Sequence, residues 1–299
     1  MKENITFISY DNKTQIHGIL YKIDNPKFII QVIPGILDSI DEYQELANNL
    51  SDDNIMICGM DNLNIGNSVS SDSYGYFGNK KEAYLNILKD IDKFYNKIHD
   101  RYPDIPYYIL GYSYGALLAK LYANNNSSIK GLILIGCPYK SNTFINKFKI
   151  NFNILSKGEK ETDYTDYKNI FNKANKYYVG NDDYAWISDN TTYINNIKNK
   201  YNPRLTFNGF YVLYDILGKS SSSKYIKNTS SDLHVLILSG KDDPISNYGN
   251  DINNIKNQYQ KLLVKFVDSK IYNNLRHNLL QEKEKDIVIN DIINFINNK

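Results

Sequence analysis

The chain has 299 residues, 42% of them hydrophobic, and a formal net charge of +2. This length and apolar content suit one α/β core with an insertion. The near-neutral balance, with Lys spread among Asn, Asp and Glu, excludes the clustered basic face of a nucleic-acid binder. No run of about 18 apolar residues occurs, so no transmembrane helix and no stable membrane insertion are expected. The opening stretch MKENITFISYDNK carries no apolar run after its first lysine, so no signal peptide is expected. Cys58 and Cys137 sit in or beside apolar runs and read as buried free thiols, which suits a cytoplasmic location.

In chain order, Ile5 to Ser9 and Ile16 to Tyr21 read as a strand pair joined across the polar turn Asp11-Asn12. Phe28 to Ile33 is a nearly continuous apolar run that stops at Pro34-Gly35. Asp41 to Leu50 follows with Tyr43, Leu46, Ala47 and Leu50 at helical spacing, and Ser39 or Asp41 can cap it. Ile55 to Met60 is the next apolar run. Lys80 to Ile98 places Ala83, Tyr84, Ile87, Leu88, Ile91, Phe94, Tyr95 and Ile98 on one helical stripe. Tyr107 to Leu110, the short helix Ala116 to Ala123, and Leu132 to Ile135 come next. Val235 to Leu238 lies late in the chain, and Asp286 to Ile296 closes it as a helix. Short apolar runs alternating with amphipathic helices indicate parallel strands covered on both faces, a doubly wound sheet.

Between about Tyr139 and Asn228 the strand-like runs vanish. Asn, Lys, Asp, Tyr and Phe dominate, with four serines at Ser220 to Ser223. The expected organisation is a core of residues 1–139 and 229–299 with a helical cap of residues 140–228. The cap leaves after one strand and returns before the next, on the carboxyl side where such sheets bind ligands.

Gly111-Tyr112-Ser113-Tyr114-Gly115 lies between the strand YYIL and the helix ALLAKLYA. A G-x-S-x-G string in that context is a nucleophile elbow. The turn is so tight that side chains at the glycine positions would meet neighbouring backbone. The serine is pushed out over the sheet edge, and the helix N-terminus behind it favours developing negative charge. In this arrangement an acid and then a histidine follow the serine in the chain. After the strand VLIL come Asp242 and Asp243, and Asp243, before Pro244, is the expected acid. Four histidines occur. His17 lies in a strand-like run, His99 ends a helix and His234 begins a strand. Only His277 combines the right order with a loop position. The oxyanion of an acyl-transfer intermediate needs two backbone N–H donors. Tyr114, after the nucleophile, and Ile36, in the loop opened by Pro34-Gly35, are the candidates.

These residues together resemble the monoacylglycerol lipase and lysophospholipase branch of the α/β-hydrolase superfamily, which includes sequences labelled serine aminopeptidase. The resemblance covers nearly the whole chain. It rests on GYSYG, on LILSGKDDPIS, on NLRHNLL, on Glu42 to Leu50, and on two insertion segments, Asp183 to Asn190 and Leu205 to Leu213. It implies an α/β-hydrolase fold with a mostly parallel eight-stranded sheet. It also implies Ser113, Asp243 and His277 as triad, with Ile36 and Tyr114 as oxyanion donors. Two departures stand out. Pro34 replaces the family's His before Gly35. In the family's Asp-His-x-Gly-His-Gly-x-Ser run, here residues 61–68, only Asp61, Gly66 and Ser68 remain. The lost histidines are expected to support loop geometry rather than chemistry.

The insertion holds Phe144, Ile145, Phe148, Phe152 and Leu155 at helical spacing, then Trp186, Phe207, Phe210, Tyr211 and Tyr214. Phe144, Phe148, Trp186, Phe207 and Phe210 are the candidates to line an acyl groove, against the alternative that such aromatics pack the cap onto the core. The expected activity is hydrolysis of a small-molecule acyl ester or lipid through an acyl-enzyme, with no metal and no cofactor. A peptidase or thioesterase using the same residues, or a non-catalytic binding protein of the same fold, are the alternatives. Nothing in the sequence sets an oligomeric state.

Overall fold

A computed structural model describes residues 1–36, 38–69, 74–140, 142–162, 174, 178, 184–200 and 205–298. Asp183, at the edge of one insertion segment compared above, lies outside the described residues. Eight strands form one sheet: β1 (Lys2–Ile8), β2 (Gln15–Tyr21), β3 (Phe28–Ile33), β4 (Ile55–Met60), β5 (Tyr107–Tyr112), β6 (Gly131–Ile135), β7 (His234–Gly240) and β8 (Phe266–Tyr272). Their order across the sheet is β1-β2-β4-β3-β5-β6-β7-β8. β2 runs antiparallel to both β1 and β4, and every other neighbouring pair is parallel.

Strand residues alternate between two apolar clusters, as a pleated backbone requires. Ile29, Ile33, Met56, Cys58 and Ile109 face one side; Ile30, Val32, Ile55, Ile57 and Leu110 face the other. The first side is covered by α2 (Ala83–His99), α3 (Tyr114–Ala123) and α8 (Asp251–Lys261), the second by α1 (Gln44–Ser51) and α9 (Lys285–Asn297). The doubly wound reading therefore describes the molecule. The helix expected from Asp41 begins instead as a 3₁₀ turn, Ile40–Tyr43, before α1, and Ser39 caps that turn by accepting the Asp41 N–H.

Between β6 and β7 the described residues hold α4 (Phe144–Lys157), α5 (Thr191–Lys200), α6 (Phe207–Ser220) and the single turn α7 (Ser223–Ile226), and no strand. These helices do not share one separate core. Phe207, Phe210, Val212, Ile216 and Ile226 join the cluster on the first face of the sheet. Trp186, Ile187, Tyr193, Ile194 and Ile197 form a small cluster of their own, which rests on Ile36 and Ile245.

Candidate active site

The central strand β5 delivers Ser113 at its carboxyl end. Ser113 has φ +54° and ψ −115°, a region costly for a residue with a Cβ, at about 1–3 kcal/mol. Surrounding packing holds it there. A Cβ on Gly115 would lie 1.9 Å from the Ile33 carbonyl oxygen, and one on Gly111 would lie 2.5 Å from the Gly115 oxygen. The turn thus needs glycine at both places because backbone meets backbone. The Ser113 N–H donates to the Ile135 carbonyl at 2.9 Å, tying the elbow to β6.

His277 Nε2 lies 2.8 Å from Ser113 Oγ. On the other side of the ring, Nδ1 lies 2.9 Å from Asp243 Oδ1, an ion-pair distance with the N–H poorly aimed at the oxygen. Such contacts tighten when a reaction develops positive charge on the ring. Asp243 is fully buried, and its Oδ1 accepts the Ile245 N–H at 2.8 Å. Its neighbour Asp242 is only half-buried. The imidazole is packed between Tyr112 and Trp186, with ring centroids 5.1 Å and 5.3 Å away. The other histidines have other company: His17 pairs with Asp41, His99 stacks on Tyr95 and His234 on Phe266.

Ser113 and His277 open into a cavity of about 300 Å³. Ile36 and Tyr114, the two residues expected to supply oxyanion N–H groups, both line it. Its apolar wall comes from Leu117 on α3, from Leu213, Tyr214 and Leu217 on α6, and from Trp186 and Ile197. Of the five residues expected to line a groove, only Trp186 does so. Phe144 and Phe148 are exposed on the outer side of α4, and Phe207 and Phe210 are buried in the core under α6. That expectation is corrected: the aromatic stripe on α4 faces outward, and the one on α6 is consumed by packing in the core, where α6 meets α2 and α3.

Sequence reasoning missed Asp38, which also lines the cavity. It is buried, and burial pushes its carboxyl above the usual carboxylate range. Tyr193 Oη donates to Oδ1 at 3.0 Å and Tyr43 Oη to Oδ2 at 3.2 Å. Asn278 Nδ2 in turn donates to Tyr193 Oη at 2.9 Å. Asp38 therefore links the loop bearing Ile36, the insertion helix α5 and the residue after His277. Its position three residues past Gly35, in a loop that must approach substrate, was the available signal. Asp251 was missed too; it lines the cavity and accepts the Tyr139 N–H at 2.8 Å.

The residues kept from the family's run at 61–68 hold this same loop. Asp61 accepts the Ile40 N–H and the Asn67 N–H, each at 2.6 Å, and the Ser39 hydroxyl at 3.0 Å. Ser68 Oγ accepts the His17 N–H at 2.8 Å and donates to the Asp61 carbonyl at 3.2 Å. Asn62, standing where the family has a histidine, donates Nδ2 to the Pro34 carbonyl at 3.0 Å. Pro34 needs no N–H at that point, because its carbonyl is the group that is held.

A mostly parallel eight-stranded sheet with helices on both faces, and a cavity at the carboxyl end of its central strand, is the architecture of an α/β hydrolase. The family described as serine aminopeptidase, S33, matches residues 24–284, and the chain belongs to that family of hydrolases. Among solved structures it is similar to a thermostable carboxyl esterase from Bacillus coagulans in complex with glycerol. There the TM-score is 0.89 and the identity 21%, with 99% of this chain and 98% of that chain covered. It is also similar to a soluble variant of a monoglyceride lipase from Saccharomyces cerevisiae in complex with a substrate analog, at TM-score 0.75 and 16% identity, covering 99% and 94%. A monoacylglycerol lipase from Paleococcus ferrophilus gives 0.69 and 14%, covering 95% and 99%. No curated protein sequence matches the chain. Among the described residues no helix is long and apolar enough to cross a membrane.

Proposed function

We propose that the protein is a serine-dependent carboxylic ester hydrolase acting on monoacylglycerol- or lysophospholipid-like esters. The observation that carries this reading is the row Ser113 Oγ, His277 and Asp243, spaced 2.8 and 2.9 Å, on the floor of an apolar cavity. Ser113 Oγ attacks the acyl carbonyl while His277 Nε2 takes its proton. The oxyanion receives the N–H groups of Ile36 and Tyr114, each such donor contributing about 2.7–4 kcal/mol to the transition state. The tetrahedral intermediate collapses, and the proton on Nε2 passes to the departing alcohol. Water, deprotonated by the same nitrogen, then attacks the acyl-enzyme and releases the acid. Asp243 orients the ring and stabilises it when charged.

Residues 140–228 act in this reading as a cap over a core of residues 1–139 and 229–299. Support comes from the cavity wall, which draws on both: Leu117 below, Trp186, Leu213 and Leu217 above. The buried, unpaired Cys58 and Cys137 suit a cytoplasmic setting. A second reading has its own observation. Asp38 and Asp251 both line the cavity, and carboxylates there suit the ammonium of a peptide's amino terminus. A fluorophosphonate probe is expected to label Ser113, and Ser113→Ala to abolish labelling. Absence of labelling on folded protein would sink the enzymatic reading and leave a binding protein. Turnover of p-nitrophenyl esters, rising with chain length, supports the ester reading. Turnover of amino-acid p-nitroanilides in its place supports the peptidase.

A further inference from the structure

Among the described residues β8 (Phe266–Tyr272) is the last strand on its side of the sheet. The Tyr272 carbonyl accepts the Lys241 N–H at 2.8 Å, so the main chain of Tyr272 turns toward β7. Pairing with β7 runs without a break from His234↔Phe266 to Gly240↔Tyr272. Successive residues of a strand point their N–H and C=O groups to opposite sides. Phe266, Asp268 and Lys270 therefore turn theirs toward β7, as Tyr272 does. Val267, Ser269 and Ile271 turn theirs outward, where a further strand can take them.

Charges on an exposed edge ordinarily keep other strands away. Asp268 and Lys270 are both exposed and lie on the same face of β8, beside α9. Lys270 Nζ meets Asp291 of α9 at 2.5 Å, yet its side chain is still 51% exposed. A strand that pairs here must set a cation against Asp268 and an anion against Lys270. The same strand from a second copy does so in one register. An antiparallel pair about a two-fold axis must bring outward residues opposite outward residues. Centred on Asp268, such a pair opposes the two aspartates; centred on Lys270, it opposes the two lysines. Centred on Ser269, it sets Asp268 of each copy against Lys270 of the other. Both contacts then fall at non-hydrogen-bonded positions, where facing side chains approach most closely. Val267 exchanges hydrogen bonds with Ile271 of the other copy, and Ser269 with its own counterpart. At the ends, Phe266, 42% exposed, faces Tyr272. Charge thus rejects the neighbouring registers and favours this one.

We propose that two copies of the chain join β8 to β8 in the Ser269-centred register and so make one continuous sheet. Because the strands run antiparallel, the carboxyl ends of the two parallel sheets, and the cavities there, point in opposite directions. Pairing leaves both cavities open, and it does not depend on the ester-hydrolase reading. The experiment is sedimentation equilibrium of the full chain over a concentration series, and a dimer is expected. Asp268→Lys alone opposes lysines, and Lys270→Glu alone opposes acids. Each should raise the dissociation constant by about 10-fold or more. An equal mixture of these two variants should regain the parent affinity, because each supplies the charge that the other lacks. Ser269→Pro removes an outward N–H and leaves the bonds to β7 in place, so it should abolish the dimer. Far-UV circular dichroism like that of the parent checks that each variant is folded. A parent chain that stays monomeric at every concentration overturns the proposal. So does a dimer that persists in folded Ser269→Pro, or a mixture of the two folded charge variants that stays monomeric.

Discussion

The floor and the roof of the cavity are built by different means. The floor is set by backbone: Ser113 sits at φ +54° on a turn where glycine is demanded by carbonyl oxygens at 1.9 and 2.5 Å. The roof is set by side chains, with Trp186 and Tyr193 in a small cluster and Leu213 and Leu217 on a helix that packs into the core. Backbone constraints leave a mark in the sequence, because few residue types satisfy them. Side-chain packing accepts many residues of suitable size, and leaves no such mark.

The sharpest way to break this contrast is at the floor. Asp243→Asn keeps the size of the side chain but removes the charge that supports the imidazolium. We expect kcat to fall by about 10³- to 10⁴-fold, with KM little changed, measured on a soluble p-nitrophenyl ester. A loss below tenfold would mean that the row does not act as a unit. At the roof the expected effect is smaller and of another kind. Leu213→Trp fills cavity volume without touching the reacting atoms. It should lower kcat/KM for long-chain esters relative to short ones by about 10-fold and leave short-ester kcat near the parent value. An equal fall for all chain lengths would show that roof and floor are coupled.

The smallest expected effect tests the seam between the two regions. Glu282 follows the histidine loop, and its Oε1 accepts the Arg276 N–H at 2.7 Å while Oε2 accepts the Asp189 N–H of the roof at 3.1 Å. Burial, then hydrogen bonding with Asp189, raises its carboxyl to about 8. Asp189 itself is pushed up by burial, but hydrogen bonds from Glu282 and the Lys283 N–H outweigh this and hold it low. Arg276 Nη1 and the Lys283 ammonium complete the charged surroundings, at the Ala185 and Ser188 carbonyls and 3.7 Å from Asp189. The folded chain thus keeps a proton that the unfolded chain gives up near the ordinary glutamate value of 4.5. The stabilisation from this group is full below that value, falls as pH rises, and is gone above about pH 8. Above pH 8 two carboxylates repel across the seam. Trp186, three residues before Asp189, is the chain's single tryptophan. Its emission should change with a midpoint near pH 8, and Glu282→Gln should remove that step. A step that persists in the variant would assign it elsewhere.

Much of the fold was legible because parallel strands buried on both faces are short, apolar and continuous. β3, β4, β5 and β7 read that way. β8 did not, since it is an edge strand whose residues Phe266–Tyr272 alternate in exposure and include Asp268 and Lys270. α8 was missed because Asn and Lys fill its outer side, and the polar Asp251 and Gln258 stand among Ile252, Ile255 and Tyr259 on the inner one. Ser113, Asp243 and His277 could be named from order and loop position. Asp38 could not, since its role comes from Tyr43 and Tyr193, which the fold brings in from 5 and 155 residues away. Phe144 and Phe207 show the same limit from the other side. Helical spacing says which residues share a face, but only the tertiary structure says what that face meets.

The contact between Gly115 and the carbonyls of Ile33 and Pro34 has a consequence for how such a protein can diversify. The segment that ends in Ile36 and the turn that bears Ser113 are fitted main chain to main chain, so their close approach does not depend on the apolar side chains of the roof such as Leu213 and Leu217. Selection can therefore rewrite those roof residues, trading one substrate for another, while the turn that carries the serine is inherited unchanged.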